Sequence, residues 1–140
     1  MNSVVHFEIA ADNPNRAKKF YGDVFDWEFA QMDDKYGNYI MAHTAPTDKE
    51  GMIQKMGAIN GGIMKKDKTA KQTILTLGVD DLKETLKKVE GNGGKVLSEA
   101  MEIPNVGLYA RVQDTEGNVV SLMQPTKEWQ EKAEKLNKSR

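Results

Sequence analysis

The sequence predicts an α+β fold of two βαβββ modules that form one cleft, with a short C-terminal helix added. Three observations predict it. Apolar alternation in "SVVHFEIAAD" gives way to helical spacing in "DNPNRAKKFYGDVFDW". The same switch recurs in "QTILTLGV" followed by "DDLKETLKKVEGNGG". The two stretches superpose with a constant offset: "DNPNRAKKFY" falls on "DDLKETLKKV", and "DWEFA" falls on "GKVLS". One helix covers only one face of such a unit's sheet, so pairing two units lets both sheets curve around a shared cleft. The expected division is one domain, 1–140, made of modules 1–66 and 72–125 with a helix at 126–138.

Each element has a local reason. In the first strand Val5, Phe7 and Ile9 point one way, and Val4, His6 and Glu8 the other. Asn13 is a fair N-cap and Pro14 fits the first helical position. Ala17, Phe20, Tyr21 and Val24 then recur at helical spacing. Strands follow at "WEFAQM", "NYIMAHT" and "AINGGIM", separated by "DDKYG" and by a long polar loop from Ala45 to Gly57. After the charged linker "KKDKTAK" a strand carries Thr73, Leu75 and Leu77 on one face. Asp81 with Glu84 forms a capping-box-like start to a helix that buries Leu82, Leu86 and Val89. Strands at "KVLSE", "GLYARVQ" and "NVVSLMQ" complete the second module, the last two joined by the turn "DTEGN". In the tail, Trp129, Ala133 and Leu136 give a short amphipathic helix expected to dock on its own domain.

Composition excludes several function classes. The chain has 140 residues, enough to bury a core without disulfides or a structural metal. It has no cysteine, which removes thiolate zinc sites and cysteine nucleophiles and suits a reducing cytosol. Twenty basic residues stand against 21 acidic ones, so neither nucleic acid nor an anionic membrane is expected as partner. No apolar run reaches the roughly 20 residues of a membrane span. The start "MNSVVHFE" lacks the pattern of a secretory signal, and a cytoplasmic location is expected. There is no phosphate-cradling glycine loop, nucleophile elbow or His-Glu-x-x-His motif.

The order and spacing of "HFEIAADNPNRAKKFYGDVFDWEF", "VDDLKETLKKVEGNGGKVL" and "VQDTEGNVVSLMQP" resemble the vicinal oxygen chelate superfamily. That superfamily holds glyoxalase I, bleomycin resistance proteins and extradiol dioxygenases, and the resemblance runs from about Val4 to Pro125. It implies a cleft for one small ligand. In the family's metalloenzymes it implies a divalent ion held by one residue from the first and one from the last strand of each module. Only His6 matches such a position. Its counterpart in the second module is Ile74, the last strand of that module offers Ser121, and the last strand of the first module offers Asn60 or Gly62. A catalytic divalent site takes about three imidazole, carboxylate or thiolate ligands. No cofactor is therefore expected, and a divalent metal on a site rebuilt from His6, Glu8 and His43 is the alternative.

The ligand-binding candidates are His6, Glu8, Met41, His43, Asn60, Tyr109, Arg111 and Ser121. His6 and Glu8 are also the catalytic candidates, with any catalysis left open. The blander readings are a hydrogen-bonded cleft histidine, an acid paired with a basic neighbour, and a surface ion pair for Arg111. Met41, Met64 and Met123 can line an adaptable pocket or fill the core. The leading expectation is a small-molecule binding protein, metal-free and homodimeric. The rivals are a glyoxalase-like lyase, isomerase or dioxygenase using metal Lewis acidity, and an interaction protein with a vestigial cleft.

Overall fold

The computed structural model describes residues 1–32 and 38–139. The segment "DDKYG", expected to separate two strands, lies outside the described residues. The chain divides into two compact units: an N-terminal unit, Val5–Leu75, and a C-terminal unit, Thr76–Arg140 joined by Met1–Val4.

The N-terminal unit runs β1 (Val4–Ala11), α1 (Pro14–Phe25), β2 (Glu28–Gln31), β3 (Ile40–His43) and β4 (Asn60–Lys65), in spatial order β2-β3-β4-β1. β1 and β4 are parallel, the other pairs antiparallel. The Asn13 side chain accepts from the Arg16 amide, and Pro14 opens the helix, as the sequence predicts. Asp26 closes α1 in the left-handed region, its N–H donating to the Gly22 carbonyl. α1 covers the face that holds Phe7, Ile63, Ile40, Ala42 and Phe29; Gly22 packs on the Phe29 ring, and Phe7 meets Trp27. The apolar spacing of α1 overstates its burial. Tyr21 is half-buried and stacked on Trp27, but Phe20 and Val24 are more than half exposed.

The C-terminal unit runs β5 (Ile74–Gly78, its first two residues counted with the other unit), α2 (Leu82–Gly91), β6 (Lys95–Val96), β7 (Met101–Ile103), β8 (Gly107–Gln113), β9 (Val119–Pro125) and α3 (Lys127–Ser139). Its strands lie in the order β5-β9-β8-β6, with β7 also on β8. Asp81 caps α2 by accepting from the Glu84 amide. Leu82, fully buried, packs with Val79, Ala110, Val112 and Leu122, and Leu86 and Val89 extend this core. Both units thus follow the predicted βαβββ plan.

Two local departures have visible causes. The strand expected at "KVLSE" ends after Val96, because the Leu97 and Ser98 amides both donate to the Arg111 carbonyl. Two donors on one acceptor form a bulge that ends the pairing, and the chain re-pairs with β8 as β7. The linker "KKDKTAK" is less solvated than its charge implies. Asp67 accepts from the Thr69 and Ala70 amides in a tight turn, and Ala70 is fully buried. In α3, Ala133 and Leu136 are half-buried, whereas Trp129 stays just over one-third exposed.

Gly107 opens β8 at φ 144°, and a Cβ there would overlap the Gln124 backbone. Gly91 ends α2 with ordinary φ and open space around it. Gly107→Ala should therefore cost about 2 kcal/mol or more, and Gly91→Ala should be neutral or slightly stabilising. Urea unfolding of both variants checks the contrast.

Candidate functional site

Strand register decides which side chains can meet. His6 pairs with Asn60 and Glu8 with Gly62 across β1 and β4, while Met41 pairs with Gly62 across β3 and β4. Paired residues share a face, and successive residues alternate. His6, Glu8, Asn60, Gly62, Met64, Met41 and His43 therefore occupy one face of the N-terminal sheet, opposite α1.

The glycine pair "GG" in β4 permits this arrangement. A methyl group at Gly61 would overlap the Phe7 ring on the helix side, and one at Gly62 would overlap the Tyr39 ring on the other. Each glycine lets an aromatic side chain lie directly on the strand backbone. Tyr39, laid across Gly62, brings its hydroxyl to 3.0 Å from His6 Nε2. It is the residue that sequence reasoning left out of the site. Its alternation with Met41 and His43 places it on the right face, but its contact depends on Gly62, which no local pattern signals.

Glu8 is 3% exposed and has interaction partners, although it sits on the face that α1 leaves uncovered. Burial lowers the His6 pKa below its ordinary value, and the Glu8 charge opposes this more weakly. His6 is consequently a neutral imidazole at neutral pH. It shares one hydrogen bond with a phenol, and the tautomer decides which of the two donates. Met41 and His43 are half-buried on the same face.

Asn60 has a different task from the rest. Its Oδ1 accepts from the Thr44 amide and its Nδ2 donates to Thr47 Oγ1, both at 2.9 Å. The loop it anchors folds on itself through the Thr47–Ile53 bridge and the Asp48 carboxylate, which accepts from the Glu50 and Met52 amides. Both ends of the Asn60 amide are thus engaged in holding this loop to β4.

In the C-terminal unit the register sets Tyr109 against Met123 and Arg111 against Ser121, on the face away from α2. The Tyr109 hydroxyl lies 2.7 Å from Ser121 Oγ and accepts from Arg111 Nε at 3.0 Å. The guanidinium also sits 5.9 Å from the centre of the Tyr109 ring. Ser121 is fully buried, and so is Thr76 on β5, beside the aliphatic Ile74. This face therefore offers a phenol, a guanidinium and two buried hydroxyls.

A metal fits this chain poorly. At the four positions where the resemblance expects a ligand stand His6, Ile74, Ser121 and Asn60 or Gly62. Among the described residues no three His, Asp or Glu side chains come together in a group that could hold an ion. An isoleucine donates nothing, and hydroxyl and amide oxygens bind transition metals weakly.

Comparison with known proteins gives a consistent result. The family model for the glyoxalase/bleomycin resistance protein/dioxygenase superfamily matches residues 3–122. A glyoxylase-like domain-containing protein of Didymella fabae is 35% identical over 117 residues, covering 79% of this chain and 84% of that protein. CFP32 of Mycobacterium bovis, provisionally described as a glyoxylase, is 26% identical over 121 residues. That match takes in 84% of this chain but only 42% of the mycobacterial protein's length. Among solved structures, methylmalonyl-CoA epimerase from Mycobacterium tuberculosis superposes with a TM-score of 0.62 at 15% identity, covering 91% of this chain and 90% of that one. At that identity the likeness concerns the fold alone. No helix among the described residues is long and apolar enough to cross a membrane.

The site makes a pH prediction. The folded His6 pKa lies below its value in the unfolded chain, near 6.5, so the unfolded state takes up the proton first. The histidine's contribution to stability is complete above about pH 6.5 and is lost as pH falls from there toward the folded value. His6→Gln should flatten the loss of unfolding free energy between about pH 7 and pH 5 relative to the parent. Glu8→Gln should lower the His6 pKa further, read by NMR titration, because it removes the charge that raises it.

Proposed function

We propose a function for a chain that belongs to the glyoxalase/bleomycin resistance protein/dioxygenase superfamily: it binds a small organic molecule, without a metal, on the helix-free face of its N-terminal sheet. The observation that carries this reading is the His6–Tyr39 hydrogen bond, set beside buried Glu8 on the face that α1 does not cover. Packing alone gives a sheet no reason to place an imidazole, a phenol and a carboxylate together. Burying polar groups is costly, and binding a polar ligand is a reason to bear that cost.

The ligand class follows from the groups offered. A neutral imidazole and a phenol recognise carbonyl and hydroxyl oxygens; on the C-terminal sheet, taken by itself, Arg111 beside Tyr109 suits a carbonyl or carboxylate. Met41 and Met64 supply adaptable apolar contact beside the imidazole. A molecule with an apolar body and a few oxygens satisfies both sets. The absence of cysteine supports a reducing cytosol as its place of work.

One observation favours a second reading, an acid–base enzyme. Glu8 and His6 lie two residues apart on one strand face, close enough for the carboxylate to perturb the imidazole. Such a pair can move a proton when a substrate presents an acidic C–H or O–H.

The test is a thermal-shift screen of chelator-treated protein against carbonyl- and hydroxyl-bearing metabolites and aromatic antibiotics. At least one compound should raise Tm, and added zinc, nickel or manganese should not change its affinity. Tyr39→Phe should weaken that binding about tenfold, as for a lost hydrogen bond of roughly 1.4 kcal/mol. A stoichiometric divalent ion retained through purification, or a screen with no hits, would overturn the reading. Turnover of the bound compound would move it to the enzyme.

A further inference from the structure

We propose that Asn92 is a modification site: its side-chain amide is lost by spontaneous ring closure, while the fold protects the same dipeptide at Asn60. The chain contains two Asn-Gly pairs, Asn60-Gly61 and Asn92-Gly93. In such a pair the glycine nitrogen gives up its proton and attacks the asparagine Cγ, closing a cyclic imide and expelling ammonia. Water then opens the imide at one of its two carbonyls. The product is either aspartate or an isoaspartyl link, whose backbone runs through the side chain. Glycine favours the closure because it has no Cβ to obstruct the approach of its nitrogen. On sequence alone the two pairs rate alike.

The fold separates them. Asn60 is 7% exposed, and both ends of its amide are engaged, with the Thr44 amide and Thr47 Oγ1 at 2.9 Å each. Gly61 is buried in β4, between Phe7 of β1 and Ala42 of β3. Ring closure turns the asparagine backbone out of the extended form, so it first requires β4 to leave the sheet. Core strands open only at free energies near that of global unfolding. Asn92 and Gly93 are exposed at the end of α2, where helices fray. The Gly93 N–H reaches the Glu90 carbonyl at a long 3.3 Å, and Asn92 Nδ2 donates to the Lys88 carbonyl at 2.7 Å across an exposed contact. Opening the last turn is enough to release both groups.

The product acts on its surroundings. In place of a donor, a carboxylate faces the Lys88 carbonyl at the negative end of the α2 dipole, where an anion is unfavourable. An isoaspartyl link also lengthens the backbone by one carbon ahead of Gly94. That glycine has no spare room: a Cβ on it would lie 2.7 Å from the Gln113 carbonyl oxygen and 2.8 Å from the Val89 side chain. The longer chain therefore strains the joint between α2 and β6, and the modified protein is less stable than the parent.

Peptide mass mapping of the full chain, held at mildly alkaline pH, follows both sites at once. Asn92 should convert at least about tenfold faster than Asn60, a barrier difference of about 1.4 kcal/mol. In urea the two rates should converge, because the fold alone protects Asn60. As the folded protein ages it should accept methyl groups from an isoaspartyl carboxyl methyltransferase, and Asn92→Gln should abolish most of this labelling. Asn92→Asp, which carries the aspartate product from the start, should lower Tm by about 2–4 °C. Equal rates in the folded chain, a contrast that persists in urea, or labelling unchanged by Asn92→Gln would overturn the proposal.

Discussion

One helix can bury only one face of a four-stranded sheet, and most of what is distinctive here follows from that limit. In the N-terminal unit α1 takes the face carrying Phe7, Ile63 and Ala42, and the alternation of strands then commits His6, Glu8, Met41 and His43 to the other. In the C-terminal unit α2 takes Ala110, Val112 and Leu122, which commits Tyr109, Arg111 and Ser121 in the same way. A one-residue slip of register would bury the charged set against a helix and expose the apolar one, so the core and the site specify each other.

The superfamily's architecture is present while most of its ion-binding positions hold other chemistry. Ile74 is buried and aliphatic, Ser121 is engaged with Tyr109, and Asn60 holds a loop. What remains on these faces is hydrogen-bonding chemistry: an imidazole kept neutral by burial, two phenols and a guanidinium. Such groups recognise oxygen functions by geometry and partial charge, which suits selective binding more directly than Lewis-acid activation.

Much of the fold was legible because it rests on short-range signals. Asn13 and Asp81 read as caps and act as caps, and "DTEGN" reads as a turn and is held by Asp114 accepting from the Glu116 and Asn118 amides. The site was legible only as a face. Strand alternation groups His6 with Glu8, but the Tyr39–His6 contact needs Gly62 on a strand far along the chain, and the engagement of Asn60 needs Thr44 and Thr47 in place. Periodicity likewise marked Phe20 and Val24 as apolar without saying whether their own unit would cover them. Pattern reports chemistry along the chain; it does not report which neighbour arrives.

The central claim is that the helix-free face of the N-terminal sheet receives a small molecule with no ion in between. The most direct measurement is amide NMR on chelator-treated protein titrated with a compound that stabilises it. The account predicts shift changes at Glu8, Met41 and Gly62 that saturate together, with the exposed residues of α1 unmoved. Changes confined to α1, or changes that appear only when a divalent ion is added, would contradict it.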